Sequence, residues 1–403
     1  MTVTIALAGD TMLGRGVATE ISATRGGELV SGEIRDLTRS ADLTVLNLEC
    51  CISSRGQPFP GRRFHFRAPP ESAAALADLG VDCVTLANNH AMDYGPVALT
   101  DTIRHLNAAG IAVTGAGATI QSARAAATRE AGGLVIAVLG VTDHPLEYAA
   151  AAGRPGVAYA DMLGGVPGWL TDRVRALADR ADVVLVTPHW GPNMESRPWP
   201  YVQSAAGALT AAGATLVAGH SAHVFQGATG RVFYDLGDFV DDYATDSLLR
   251  NDLGVLFLVT IGTRGPQRVT AVPLRLRFAH TELAGGADRD WIAARLTRAC
   301  ADFGTTVSDD DGGLDISPGS GWLTNDPQRT GPGAARPGRP AWRRTRAQCP
   351  AASRRWRPAG APDPASGRAA MLGRRIPRRV RAWPGQAKPA RRSPFAGIVR
   401  IRC

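Results

Sequence analysis

Short apolar runs that break off in a carboxylate, an amide or an imidazole recur along the first half of the chain. Residues 3–8 run into Gly9 and Asp10, and residues 43–48 run into Glu49. Residues 81–87 run into Asn88, Asn89 and His90, residues 183–187 lead through Pro188 to His189, and residues 215–218 lead to Gly219, His220, Ser221, Ala222 and His223. Runs this short and this rich in β-branched residues read as strands buried on both faces. If they lie side by side and parallel, their C-terminal ends gather on one edge, where open α/β sheets bind ligands. Taken alone, Asn88-Asn89-His90 also fits a plain turn, because Asn tolerates left-handed backbone and a single His is commonly just a satisfied polar residue.

Helical patterns fill the intervals. A helix is expected over 32–40, another from Pro69, Pro70 and Glu71 through Leu79, and a third over 96–109 with Leu99, Ile103 and Leu106 on one face and Gly110 as its stop. Residues 50–67 read as a long polar loop ending in Arg62, Arg63, Phe64, His65, Phe66 and Arg67. Its arginines could grip an anionic substrate, although a solvated loop explains them as well. A strand at 111–114, a helix at 120–127 and a strand at 134–142 follow. Asp143 and His144 come next, Asp143 reading as a helix N-cap and the pair as a candidate outer contact. Helices over 166–180 and 200–212 complete the alternation. Beyond them the pattern turns to hairpins: 224–226 with 231–235 across a Gly-rich turn, then 253–261 and 268–276. A last helix spans 289–303, and the fold closes near Ile316. An alternating β/α half followed by hairpins gives an α/β fold, a two-layer sheet core flanked by helices.

Charge divides the chain. The net +9 is misleading, because from Gly321 onward 20 Lys and Arg face only Asp326 and Asp363, leaving 25 basic and 34 acidic groups in residues 1–320. The expected organisation is therefore an acidic folded domain over 1–317 and a disordered Arg/Pro-rich tail over 318–403. An out-of-frame readthrough of a GC-rich gene would give the same tail. An acidic body repels nucleic acid, which is not expected as a partner. No apolar stretch approaches the roughly 20 residues of a membrane span, and no signal-peptide pattern is present, so a cytoplasmic location is expected. The six cysteines show no metal or disulfide spacing and are expected to be reduced thiols.

Asp10, Glu49, Asn89, His189, His220 and His223 offer carboxylate, amide and imidazole ligands without a thiolate. That mixture suits Mn, Fe or Zn, and two such cations would clamp and activate a phosphoester-like substrate. His90, beside Asn89, is the candidate acid for the leaving oxygen. Arg15 and Asn88 are the candidate substrate contacts.

These residues stand in motifs that resemble the calcineurin-like metallophosphoesterase superfamily, and their wording is similar to its CapA branch, the capsule or poly-γ-glutamate synthesis proteins. The motifs are G-D-T-M-L-G-R from Gly9, N-L-E from Asn47, A-N-N-H from Ala87, H-W-G from His189, G-H-S-A-H-V-F-Q from Gly219 and Y-D-L-G-D-F from Tyr234. The resemblance implies a four-layer α/β/β/α sandwich with a dinuclear site, and a role in making an anionic γ-linked glutamate polymer alongside other capsule-synthesis proteins. It implies the same six ligands, His90 as acid, and Asp238 as a partner that orients a ligand His. Two departures stand out. Met12 occupies a position where the superfamily usually has His, and the final His pair is separated by two residues rather than one. One metal position is thus expected to be weak, water-completed or empty. Two functions follow: a metal-dependent hydrolase, or a non-catalytic accessory protein that holds an anionic polymer.

Overall fold

Two sheets face each other across a shared apolar layer, and helices cover both outer faces. The computed structural model describes residues 1–24, 28–310, 312–318 and the pair Arg357–Pro358. The chain divides into two units, Met1–Ala361 and Pro362–Cys403, the second wholly outside the described residues. Most of the expected basic tail also lies outside them; its described pair, Arg357–Pro358, runs antiparallel to Thr128 and Ala127.

The first sheet is centred on the strand Thr2–Thr11. Leu43–Leu48, Cys83–Thr85 and Ala112–Thr114 follow on one side, all parallel. Leu253–Gly262 and Gly265–Arg277 lie antiparallel on the other. The second sheet orders Val232–Phe233, Leu216–Ala218, Val183–His189, Leu134–Thr142 and Ala127–Ala131. The five motif-bearing strands are thus divided: three end on the first sheet and two on the second.

Period-two alternation explains the layering. Ile5, Leu7 and Val45 point between the sheets and meet Ile136, Val138, Leu185 and Phe257. Ala6, Ala8 and Leu46 point outward, beneath Val17 and Ile21 of the helix Arg15–Thr24, Ile34 of Gly32–Ser40 and Leu99 of Gly95–Ala108. On the far side Ala137, Leu139, Val184 and Val186 meet Leu170 and Val174 of Gly168–Ala178 and Val202 and Leu209 of Pro200–Ala211. Strands buried on both faces need no polar alternation, which is why their sequences read as unbroken apolar runs. The result is the four-layer α/β/β/α order. Cys50, Cys51, Cys83 and Cys300 are free and buried.

Several expectations are corrected. The helix read over 120–127 stops at Ala123, and Ala127–Ala131 is instead a strand of the second sheet. Residues 231–235 do return against 226–229, with an antiparallel bridge between Ala228 and Phe233 and the Gln226 N–H donating to the Asp235 carbonyl, but Val232–Phe233 also pairs parallel with Val217 and Ala218 and so joins the second sheet. The loop 50–67 begins and ends in the short parallel strands Cys51–Ile52 and Arg67–Ala68. Among the described residues no helix is long and apolar enough to cross a membrane.

One contact fixes the geometry of the site. The strand Asp238–Val240 lies parallel to the first strand with Asp10 opposite Asp238. Gly9 lets them approach, since a Cβ there would stand 1.9 Å from the Gly237 carbonyl oxygen. Gly9→Ala is expected to destabilise the protein by roughly 1–3 kcal/mol or more. A denaturation midpoint equal to that of the parent protein would contradict this close approach.

Candidate metal centre

The ends of neighbouring strands are tied by an amide ladder. Asn88 Nδ2 donates to the Leu48 carbonyl and to Asn47 Oδ1, each at 2.8 Å, and Asn47 Nδ2 donates to Asp10 Oδ1 at 2.8 Å. Asn88 Oδ1 in turn accepts the backbone N–H groups of His90 and Ala91. Both ends of the Asn88 amide are therefore committed and buried, which corrects its expected role as a substrate contact: it braces the loop that carries Asn89 and His90. Asn47, not singled out as a site residue from sequence, supplies the link between that loop and Asp10.

From the facing sheet, His189 and His220 sit on adjacent strand ends. His220 Nδ1 lies 3.1 Å from Asp10 Oδ1, and His189 Nε2 lies 3.8 Å from Glu49 Oε1. The turn between His220 and His223 is held in unusual backbone, with Ser221 at φ 111° and His223 at φ 59°. Such strain persists only when surrounding contacts enforce it. Here Asp10 Oδ2 accepts the Ser221 N–H, Ser221 Oγ donates to the Gly191 carbonyl, and Asp235 Oδ2 accepts the Ala222 N–H. His223 Nδ1 is thereby brought to 2.8 Å from Asp238 Oδ1, 3.5 Å from Asp10 Oδ2 and 3.8 Å from Glu49 Oε2.

Two trios share Asp10. Asp10, Glu49 and His189 form one, Asp10, His223 and Asp238 the other, and the ligand atoms of each lie within 4.8 Å of one another. Both oxygens of Glu49, Asn89 Oδ1 and His189 Nε2 are buried without a hydrogen-bond partner. Each such atom carries a penalty of about 1–3 kcal/mol. Glu49 and His189, which carry orphaned atoms, stand in the trio with Asp10, and buried oxygens and a nitrogen so placed fit a divalent cation.

The electrostatics agree. Burial opposes ionisation of Asp10, but the neighbouring His220, His223 and His189 hold it below the usual carboxylate range. Burial and the charge of Asp10 push Glu49 well above its ordinary value, and burial with the charge of Asp241 does the same to Asp238. Burial and His144 push His189 well down, whereas Glu49 and Asp10 raise His223 against its burial. Without cations the cluster holds more carboxyls than it can keep charged.

The rim carries the remaining candidates. His90 Nδ1 meets Asp93 Oδ2 at 2.6 Å, and Asp93 also accepts Phe66 N–H and the Tyr148 hydroxyl. The ring of Phe66 packs on His90 at 4.2 Å. Asp93 was not read from sequence, because it acts through a loop and a short helix far away in the chain. Arg15 is committed to Asp242, with its guanidinium 5.2 Å from the Phe66 ring and 5.4 Å from that of Tyr243. Arg63 and Arg67 lie over Phe64 and Tyr94 without an acidic partner among the described residues. Asp143 caps no helix: it contacts His144 and accepts the Tyr201 hydroxyl, and His144 stands 5.2 Å from His189 between ring centres.

The sequence model of the family described as bacterial capsule synthesis protein PGA_cap matches residues 4–243, a stretch that holds every residue of the two trios. The chain belongs to that family. Among its relatives, a probable polyglutamine synthesis accessory protein of Mycobacterium tuberculosis is 28% identical over 76% of this chain and 93% of its own length. The capsule biosynthesis protein CapA of Bacillus anthracis is 27% identical over 73% of each. Among solved structures, a hypothetical protein of Thermus thermophilus is 15% identical, with a TM-score of 0.38, over 68% of this PGA_cap chain and 99% of that chain.

Proposed function

We propose that this PGA_cap protein is a metal-dependent hydrolase of capsule or poly-γ-glutamate synthesis, acting on a phosphoester or a related anionic substrate. The observation that carries the reading is the sharing of Asp10 between two buried trios, one of which holds the orphaned Glu49 oxygens and His189 Nε2. Asp10, Glu49, Asn89, His189, His220 and His223 would hold two divalent ions, Mn, Fe or Zn. Such ions supply Lewis-acid polarisation of the scissile group and acidify a water.

The chain's own groups do the rest. His90 is fixed by Asp93 through Nδ1, which leaves Nε2 as the ring nitrogen free to move a proton at the leaving group. Arg63 and Arg67, which pack over Phe64 and Tyr94 and form no ion pair among the described residues, would favour an anionic substrate, while Arg15 packs against Phe66 and Tyr243. His90→Ala is expected to lower turnover of a generic phosphomonoester or diester by roughly 10²–10⁴-fold while metal content stays unchanged.

One observation favours the accessory reading. The residue at the position where the superfamily has a ligand His is Met12, whose sulfur accepts the Gly14 N–H at 3.0 Å and is turned to its own loop. Bound metal with no turnover, and no change in His90→Ala, would establish a protein that holds an anionic polymer without cleaving it.

A further inference from the structure

His223 presents one nitrogen to three carboxylates. Its Nδ1 is the atom nearest Asp238, Asp10 and Glu49 alike. Were Asp238 only to orient the ring, it would accept the proton on Nδ1 and leave Nε2 as ligand. Yet the nitrogen that meets Asp10 and Glu49 is Nδ1 itself, and one nitrogen cannot both donate that proton and bind a cation beside Asp10. Asp238 is also placed for more than orientation. It stands opposite Asp10 on the adjacent parallel strand, so both side chains leave the same face. The residue is only 2% exposed, and its Oδ2 is buried with no N–H donor, its neighbour being the carboxyl of Asp241.

We propose that Asp238 binds a divalent cation directly, with Asp10 and His223, and takes the place that Met12 leaves without a ligand. The inference rests on the metal-dependent reading above and replaces the orienting role expected for Asp238. It makes the two positions chemically unequal. The Asp10, His223 and Asp238 position is rich in carboxylate and selects a hard or borderline ion such as Mn²⁺, whereas His189 and His220 give the other more imidazole character. It would bring three carboxylates, Asp10, Glu49 and Asp238, to the two dications, with Asp235 and Asp241 buried close by.

Asp238→Asn separates the two roles, because an amide oxygen accepts the same Nδ1–H bond but lacks the charge of a ligand carboxylate. Mn²⁺ content by equilibrium dialysis and the electron paramagnetic resonance spectrum would be measured on the full chain and on this variant. The parent protein is expected to bind two ions as a spin-coupled pair, and the variant to retain one isolated ion even at millimolar Mn²⁺. A coupled pair in the variant at that concentration would overturn the inference and leave the metal-dependent reading intact. No binding in the parent protein would overturn both. Should the variant fail to fold, Zn²⁺-loaded crystals of the parent protein decide the matter: an Asp238 oxygen at about 2.0–2.2 Å from the ion supports direct ligation, and one held off by the His223 ring refutes it.

Discussion

Asp10→Asn is expected to strip both cations from the protein and bring turnover to background. Asp10 is the residue the two trios have in common, with one oxygen beside His220 and the other beside His223. The substitution should leave the fold in place, because an amide oxygen can still accept from Asn47 Nδ2 or the Ser221 N–H. It removes the favourable contacts of the Asp10 charge with His220, His223 and His189 while relieving the repulsion that pushes Glu49 and Asp238 upward, so the two effects oppose each other in the ion-free protein. Glu49→Gln belongs to one trio and is expected to retain one ion. Metal analysis after dialysis, with circular dichroism as the fold control, distinguishes these outcomes. Two retained ions in Asp10→Asn would mean that the shared carboxylate is not the bridge of the centre.

The first half of this arrangement was open to reading because of how buried parallel strands are written. Leu43–Leu48 and Leu134–Thr142 are mainly apolar, and Glu49 follows the first directly, so strand and ligand announce each other in the sequence. The helix Gly32–Ser40 was equally plain, with its polar face broken by Ile34. What stayed hidden depends on distant pairing. Nothing local marks Asp238 as the neighbour of Asp10, since their register is set by a parallel contact between strands at opposite ends of the domain. The Gly-rich stretch before Arg231 signalled a tight reversal, and Thr229 and Val232 close one, but nothing local signalled the additional parallel pairing of Val232 and Phe233 with Val217 and Ala218. The helix Arg15–Thr24 was missed because it opens on a residue at φ 50° and has no acid in its first turn, so it lacks the usual starting signal.

Asp93 teaches the same lesson at the site. Its spacing of three from His90 looks like any polar turn residue, and its meaning comes only from Phe66 and Tyr148, which converge on it from elsewhere in the chain. Arg15 illustrates the converse. Sequence placed it beside the Asp10 loop, and it is there, but Asp242 has claimed its guanidinium. A motif states which chemistry is near; the partners decide which of it is free.

The ion-free protein is expected to lose stability as pH rises from about 4, and the ion-loaded protein to resist that loss. Glu49, Asp235 and Asp238 are pushed well above their ordinary values by burial and by neighbouring charges, and Asp241 is raised to about 6, chiefly by burial. A carboxyl whose folded-state pKa exceeds its unfolded one contributes stability that is complete below the unfolded value and disappears as pH climbs through the folded value. For Asp241, between an ordinary 3.8 and about 6, that amounts to about 3 kcal/mol. His223, also raised, acts in the same direction at higher pH, above its ordinary 6.5. Asp10 and His189 are lowered and oppose it: their contributions are present above ordinary values of 3.8 and 6.5 and fade as pH falls through the folded values. Three carboxyls well raised and one at about 6 outweigh these two, so the net slope is downward with pH. Bound cations reverse the logic, because they favour the charged carboxylates, and their binding must displace the protons those groups hold. Two measurements follow. Melting temperature against pH, with chelator and with Mn²⁺, should give curves that diverge from pH 4 upward. Titration calorimetry near neutrality in buffers of different ionisation enthalpy should show more than one proton released per chain. Parallel melting curves with no proton release would mean that the buried acids carry their charge without help, and that cations are not what the cluster is built to receive.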